Sequence, residues 1–190
     1  MKNQHHICPW QHGPSLSMRL RLLVHNPRRM FCQYIKNGMT VIDVGCGMGF
    51  FTIPISGMVG SDGRVIAVDL QPEMLEGLKK RSVKKECFNI VLHQCKVDTL
   101  SLEEWTGKVD FALVFWMLHE VQDSRRLMSD IFSVLSDNGK LLFAEPKGHV
   151  SAEEFKGSLD LIKKAGFSIV ETPKVAFSRA ILLKKCGKES

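Results

Sequence analysis

Residues 41–51, VIDVGCGMGFF, constrain the fold more than any other part of the chain. Val41, Ile42, Asp43 and Val44 read as a buried strand, and glycines follow at alternate positions, Gly45, Gly47 and Gly49. An apolar helical stretch comes next, then a second strand-like run, RVIAVDL, that ends on the acid Asp69. Glycines in such a turn let the backbone bend tightly and approach a ligand, and the following helix offers free N–H groups. A carboxylate after the second strand can accept both hydroxyls of a ribose. Strand, glycine turn, helix, strand and acid together predict a nucleotide-binding unit, a more specific signal than a glycine triplet alone.

The glycine spacing narrows the ligand. A dinucleotide site uses G-x-G-x-x-G, with a pyrophosphate at the helix start. Here the order is D-V-G-C-G-M-G, and no Lys-Ser/Thr follows, which excludes a P-loop. The pattern resembles motif I of class I S-adenosylmethionine-dependent methyltransferases, D/E-x-G-x-G-x-G. The resemblance runs from about residue 38 to residue 185 and is nearest to the small methyltransferases of quinone biosynthesis. It implies S-adenosylmethionine as cofactor. The cofactor's amino-acid end would lie on the turn of Gly45, Gly47 and Gly49, with Asp43 near its ammonium, its ribose on Asp69 and its adenine packed on Leu70.

Strand and helix signals alternate along the rest of the chain. Asn26-Pro27 reads as a cap and first residue of a helix to about Ile35. Strands are expected at 40–44, 64–69, 89–93, 109–115, 140–144, 168–171 and 178–183. Helices are expected after the glycines to about Met58, from Pro72 to about Lys85, over 124–135, and from a Ser151/Glu154 capping box to about Ala165. Gly60-Ser-Asp-Gly63 and Asp137-Asn-Gly139 read as turns. Such alternation predicts an α/β fold with a mostly parallel sheet and helices on both faces. The resemblance implies a Rossmann-like, seven-stranded sheet of order 3-2-1-4-5-7-6 with strand seven antiparallel. Residues 1–36 are then an N-terminal arm and helix expected to act as a lid, together with the loop 146–150, and residues 37–190 form the methyltransferase domain.

A length of 190 residues, 44% hydrophobic and 24% charged, suits one globular domain. No apolar run approaches the roughly 20 residues that span a membrane, and the N-terminus lacks the apolar centre of a signal peptide. Six cysteines without a C-x-x-C pair, one of them inside the glycine turn, predict reduced thiols and a cytoplasmic protein. The net charge of +6 comes from scattered basic residues with no interleaved aromatics, so a nucleic-acid partner is not expected. Oligomeric state leaves no mark in the sequence.

Where many relatives read G-D-A-x-x-L after strand three, this chain has Cys95-Lys96-Val97-Asp98-Thr99-Leu100. Lys96 cannot accept from an adenine amino group. Either Asp98 substitutes, or adenine is held by backbone and by packing on residues such as Val97. After strand four the chain reads Phe115-Trp116-Met117-Leu118-His119-Glu120, without the Asn-Pro-Pro-Tyr of base-methylating amino-methyltransferases. Phe115 or Trp116 is the candidate aromatic face for the sulfonium. Transfer of a methyl from a positively charged sulfur needs a base only when the nucleophile arrives protonated. The candidates are His119, Glu145 and His149, with Glu120 beside them. His5, His6, Cys8 and His12 match no strong zinc template, and no metal is expected.

The leading expectation is methyl transfer to a small molecule. Methylation of RNA or protein, a non-catalytic cofactor- or metal-binding module, and arsenic chemistry on Cys8, Cys46 and Cys95 remain alternatives. The acceptor and its reacting atom are not legible.

Overall fold

The computed structural model describes residues 24–186. Seven strands form one sheet: β1 (Thr40–Val44), β2 (Arg64–Asp69), β3 (Ile90–Gln94), β4 (Val109–Phe115), β5 (Leu135–Pro146), β6 (Phe167–Glu171) and β7 (Ser178–Lys185). Their order is β3-β2-β1-β4-β5-β7-β6, as expected. The pairs among β1 to β5 are parallel, and β7 runs antiparallel to both β5 and β6. Among the described residues five α-helices accompany the sheet: α1 (Pro27–Phe31), α2 (Thr52–Val59), α3 (Pro72–Lys84), α4 (Ser124–Val134) and α5 (Ala152–Lys164).

Central strands are buried on both faces, so their apolar residues divide by parity. Ile42, Val44, Ile66, Ala112 and Val114 face one core, which Met128 and Ile131 of α4 and Phe155 and Ile162 of α5 complete. Val41, Val65, Phe111 and Leu113 face the other, against Phe31 of α1 and Ile55 and Val59 of α2. Leu75 and Leu78 of α3 pack on Ala67 and Cys46. Asp43 shares the parity of Val41, and its side chain meets Thr52 at the start of α2.

Local signals act as their chemistry requires. Asn26 Oδ1 accepts from the Arg29 N–H at 3.2 Å, with Pro27 in the first helical turn. Ser151 Oγ accepts from the Glu154 N–H at 3.2 Å, and the Glu154 carboxylate accepts from the Ser151 N–H at 2.8 Å, which completes the capping box. Two expectations need correction. The helix after Asn26 ends at Phe31, not Ile35, because the chain turns there to bury Tyr34 and Ile35. The turn expected at 137–139 is part of β5. Val109 of β4 pairs with Leu135 and Phe111 with Lys140, so the intervening residues form an irregularity in the strand. Gly139 permits it, since a side chain there would meet the Val109 carbonyl at 2.8 Å.

Candidate active site

A cavity of about 770 Å³ opens beyond the carboxyl ends of β1, β2 and β4. Its floor is the glycine turn. The N–H groups of Gly45 and Cys46 donate to the Val68 carbonyl at 2.9 and 3.0 Å, which fastens the turn to β2. Gly47 has φ +53, and nothing lies within 4 Å of where its Cβ would stand. That open direction belongs to the cavity, which Gly47 lines together with Asp43, Gly45 and Asp69. Gly49 (φ +81) does not line the cavity. A Cβ there would stand 2.3 Å from Leu78 Cδ1, so its bareness serves the packing of α3 under the turn.

Two buried acids frame the turn. Asp43 Oδ2 accepts from the Thr52 hydroxyl at 2.6 Å, which joins β1 to the start of α2. Asp69 Oδ2 accepts from the Gly47 N–H at 2.8 Å, and its Oδ1 accepts from the Gln71 N–H at 3.0 Å. Burial raises the Asp69 carboxyl above its ordinary value, and the backbone N–H groups of Gln71, Gly47 and Leu70 pull against that rise. Each carboxylate oxygen holds a second acceptor site, so Asp69 can brace the turn and still accept from a ligand. The Arg81 guanidinium donates to the Met48 carbonyl and secures the turn from α3.

Leu70, Val97 and Asp98 also line the cavity, and so does Lys96. The segment 96–100 is closed by the Lys96 N–H donating to the Thr99 carbonyl at 3.0 Å. Asp130 of α4 holds it in place, because its Oδ2 accepts from the Thr99 hydroxyl at 3.1 Å and from the Leu100 N–H at 2.9 Å. No local signal marked Asp130, which reaches this segment from 30 residues away.

The opposite end of the cavity is built from β4, β5 and the segments that follow them. Phe115 is buried and stacks on Trp116 with centroids 5.3 Å apart. Trp116 takes the left-handed conformation (φ +61), and its indole N–H donates to Ser178 Oγ at 2.9 Å. His25 stands edge-on to both rings, at 5.4 and 5.0 Å, and bonds the Ala176 carbonyl. Phe177, which sequence reasoning missed, lines the mouth at φ +55 and is 70% exposed.

His119 lines the cavity from the turn after β4. Its Nδ1 lies 2.6 Å from Glu145 Oε2, and its backbone N–H donates to Glu145 Oε1 at 3.2 Å. An ionised carboxylate only accepts, so Nδ1 carries the proton and neutral His119 keeps Nε2 as an acceptor. The bond to Glu145 raises the His119 pKa above its ordinary value, burial opposes this, and the charges of Glu145, Glu120 and Glu154 add to the rise. Glu145 itself is buried and does not line the cavity; it stands behind His119. His149 lines the cavity with its ring edge-on to His119 at 6.3 Å.

Burial, with the charges of Asp43 and Asp69, pushes the Cys46 thiol well above its ordinary value, and burial beside Asp69 pushes Cys95 up to about 11. Both stay protonated near neutral pH, which disfavours thiolate chemistry at these two positions. Among the described residues no group of three or more His, Cys, Asp or Glu is placed to hold a metal ion, and no helix is long and apolar enough to cross a membrane. His5, His6, Cys8 and His12 lie outside the described residues.

Residues 35–176 match the family described as a methyltransferase domain. The chain is 28% identical over 127 residues to a demethylmenaquinone methyltransferase of Lactococcus lactis, covering 67% of this chain and 49% of that one. It is 30% identical over 115 residues to a ubiquinone/menaquinone biosynthesis C-methyltransferase of an Enterobacter species, covering 60% and 45%. It thus spans about half the length of the curated relatives it matches. Among solved structures it resembles a SAM-dependent methyltransferase from Aquifex aeolicus, with TM-score 0.77, 23% identity and coverage of 88% and 96%. The chain belongs to the methyltransferase-domain family.

Proposed function

We propose that this protein binds S-adenosylmethionine at the glycine turn and methylates a small molecule held at the His119 end of the cavity. The observation that carries the reading is Asp69. Its buried carboxylate ends β2 at the wall of the cavity and is bonded to the N–H of Gly47, the turn residue whose Cβ direction is open. These residues fit the cofactor. Asp69 would take the ribose hydroxyls, Asp43 and the turn from Gly45 the amino-acid end, and Leu70, Val97 and Asp98 would border the adenine. Phe115, with Trp116, offers an aromatic face to a cation. The cofactor supplies an activated methyl on a cationic sulfur, and much of what remains for the protein is positioning and exclusion of water.

The charge of the cavity supports a small acceptor over a nucleic acid. Six carboxylate residues line it (Asp43, Asp69, Asp98, Glu120, Asp123 and Asp130), against one basic residue, Lys96, among the described ones. A polyanion at this mouth would meet repulsion. The arm of residues 1–36 is proposed to close the site. Its described end supports this, because His25 packs against Phe115 and Trp116 beside the acceptor end. The free thiols Cys32, Cys46, Cys87, Cys95 and Cys186 suit a reducing, cytoplasmic setting.

Calorimetric titration tests the cofactor reading. S-adenosylmethionine and S-adenosylhomocysteine are expected to bind. Tight binding of NAD or ATP, with no response to either sulfur compound, would overturn it.

A further inference from the structure

The sheet has two edges, and they are built differently. β6 is interrupted by an irregularity between Ile169 and Glu171, and the Glu171 carboxylate accepts from the Tyr34 hydroxyl. A bulge and a fixed charge are devices that keep an edge from pairing. β3 has neither. Its residues Ile90–Gln94 pair with β2 in unbroken register and include no proline and no Asp, Glu, Lys or Arg. Among the described residues no strand lies on its outer side. The Val65 N–H donates to the Asn89 carbonyl and the Cys95 N–H to the Asp69 carbonyl, at 2.9 and 3.0 Å. Backbone groups alternate in direction along a strand, so alternate residues from Asn89 to Cys95 turn theirs to β2, and Ile90, Leu92 and Gln94 turn theirs outward.

Apolar side chains flank this edge. Phe88, just before β3, is 84% exposed, and Val83 of α3 is 64% exposed. α3 packs over β2 and β3. A Cβ on Gly77 would meet the Met48 side chain, and Arg81 donates to the Met48 carbonyl, so these two residues mark the side of α3 toward β1. At about 100° per residue, Val83 lies on the other side of the helix, toward the β3 edge.

The exposed charges of α3 are ordered. Glu73 and Glu76 stand in its first half, Lys79, Lys80 and Lys84 in its second, and Lys85 and Glu86 follow the helix. Lys80 lies 3.5 Å from Glu76 with both side chains more than half exposed. Such an order repels a copy laid alongside in the same direction and attracts one laid in the opposite direction. α3 joins two parallel strands and runs against both, so two β3 edges that pair antiparallel about a two-fold axis also set their α3 helices antiparallel.

We propose that the outer edge of β3, with Phe88 and the exposed side of α3, is an interface for a second copy of this chain. The two-fold axis passes by Leu92, whose N–H and carbonyl exchange hydrogen bonds with Leu92 of the other copy, and Ile90 of each pairs with Gln94 of the other. The two seven-stranded sheets join into one. The acids at the start of each α3 lie beside the lysines at the end of the other, and Val83 is withdrawn from water against the facing helix. A second copy fits better than an unrelated acidic strand, because α3 carries both signs and so complements itself. The interface is independent of the cofactor reading.

Sedimentation velocity of the full chain over a concentration series is the test. A species of 21.4 kDa is expected to give way reversibly to one of twice that mass. In hydrogen exchange the amides of Ile90, Leu92 and Gln94 should slow as the dimer fills, and those of β6 should not. Phe88→Ser, at an exposed position, should weaken association by about tenfold or more. Glu73→Lys with Glu76→Lys should weaken it by about tenfold, and adding Lys80→Glu with Lys84→Glu should recover much of the loss, because the order of signs is then reversed in both copies. Val170→Glu, on the β6 edge, should leave association unchanged. The proposal is overturned if the folded chain stays monomeric up to about 1 mM. It is equally overturned if the dimer withstands Phe88→Ser and the charge reversal, or if Val170→Glu disrupts it instead. Outward β3 amides protected equally at every concentration would also overturn it, since another part of the chain would then cover the edge.

Discussion

The two ends of the cavity are made of different material. The glycine-turn end is mostly backbone, with N–H groups of Gly45, Cys46 and Gly47 and two buried acids within a stretch of chain from Asp43 to Gln71. The other end is mostly side chains, Trp116, His119, Glu145, His149 and Phe177, gathered from separate segments by β4, β5 and β7. A backbone cradle tolerates almost any neighbour but few substitutions at its own bare positions. A side-chain wall can change its ligand by exchanging a residue while the frame stays put. The first end, proposed to hold the cofactor, is thus the less changeable one, and the second is where one member of a family can differ from another.

The sharpest way to break this contrast is Gly47→Val. A branched side chain at φ +53 is strained and enters the open direction of the cavity. Loss of detectable S-adenosylhomocysteine binding is expected in calorimetry, with the circular dichroism spectrum preserved; retained affinity would move the ligand elsewhere. Asp69→Ala should weaken the same binding by about 1–3 kcal/mol, because ligand hydroxyls lose a charged acceptor and the Gly47 N–H loses its partner. Unchanged affinity in a folded variant would remove Asp69 from the site.

Gly49→Ala sharpens the comparison from within the turn. Its added methyl meets fully buried Leu78, so it should cost about 1–3 kcal/mol of stability in denaturant unfolding, while the folded fraction still binds cofactor. A loss of affinity with no loss of stability would return Gly49 to the ligand.

The smallest effect lies at the other end. His119 has a folded-state pKa raised above 6.5, so protonation favours the folded state. That contribution is complete below about 6.5 and is lost as pH rises through the higher folded value. The stability advantage of wild type over His119→Gln should thus be greatest in acid and shrink above pH 6.5, with S-adenosylhomocysteine affinity equal in both. An advantage that grows with pH would contradict the pairing with Glu145.

The sequence was most legible where the proposed site is local. Asp43, Gly45, Gly47 and Asp69 announce themselves through spacing, because one turn of backbone and the next strand end suffice to build that cradle. Gly49 belongs to the same pattern, yet its neighbour is Leu78 of α3, and no local rule says which side of a turn a glycine bares. His119 and Glu145 were each legible as candidates. Their partnership was not, since 26 residues and a strand pairing separate them. Phe177 and Asp130 carried no signal, because a loop aromatic and a helical acid gain meaning only through the surface they meet. The irregular start of β5 was read as a turn because Asp-Asn-Gly suits both, and only the approach of β4 decides between them.

The sheet order has a further consequence, for the sequence of events as the chain is made. β1, β2, β3 and β4 emerge in turn and lie side by side, so the glycine-turn end has its neighbours early. β7 comes last, yet it lies between β5 and β6, and it brings Ser178 to Trp116 and Arg179 opposite Glu145. Until it arrives, β5 presents an unpaired edge, and Trp116 lacks its Ser178 partner. Domains generally assemble from the N-terminus during synthesis. A ribosome-bound chain stalled before β7 should hence already be able to hold the nucleoside while its other wall is still open to solvent.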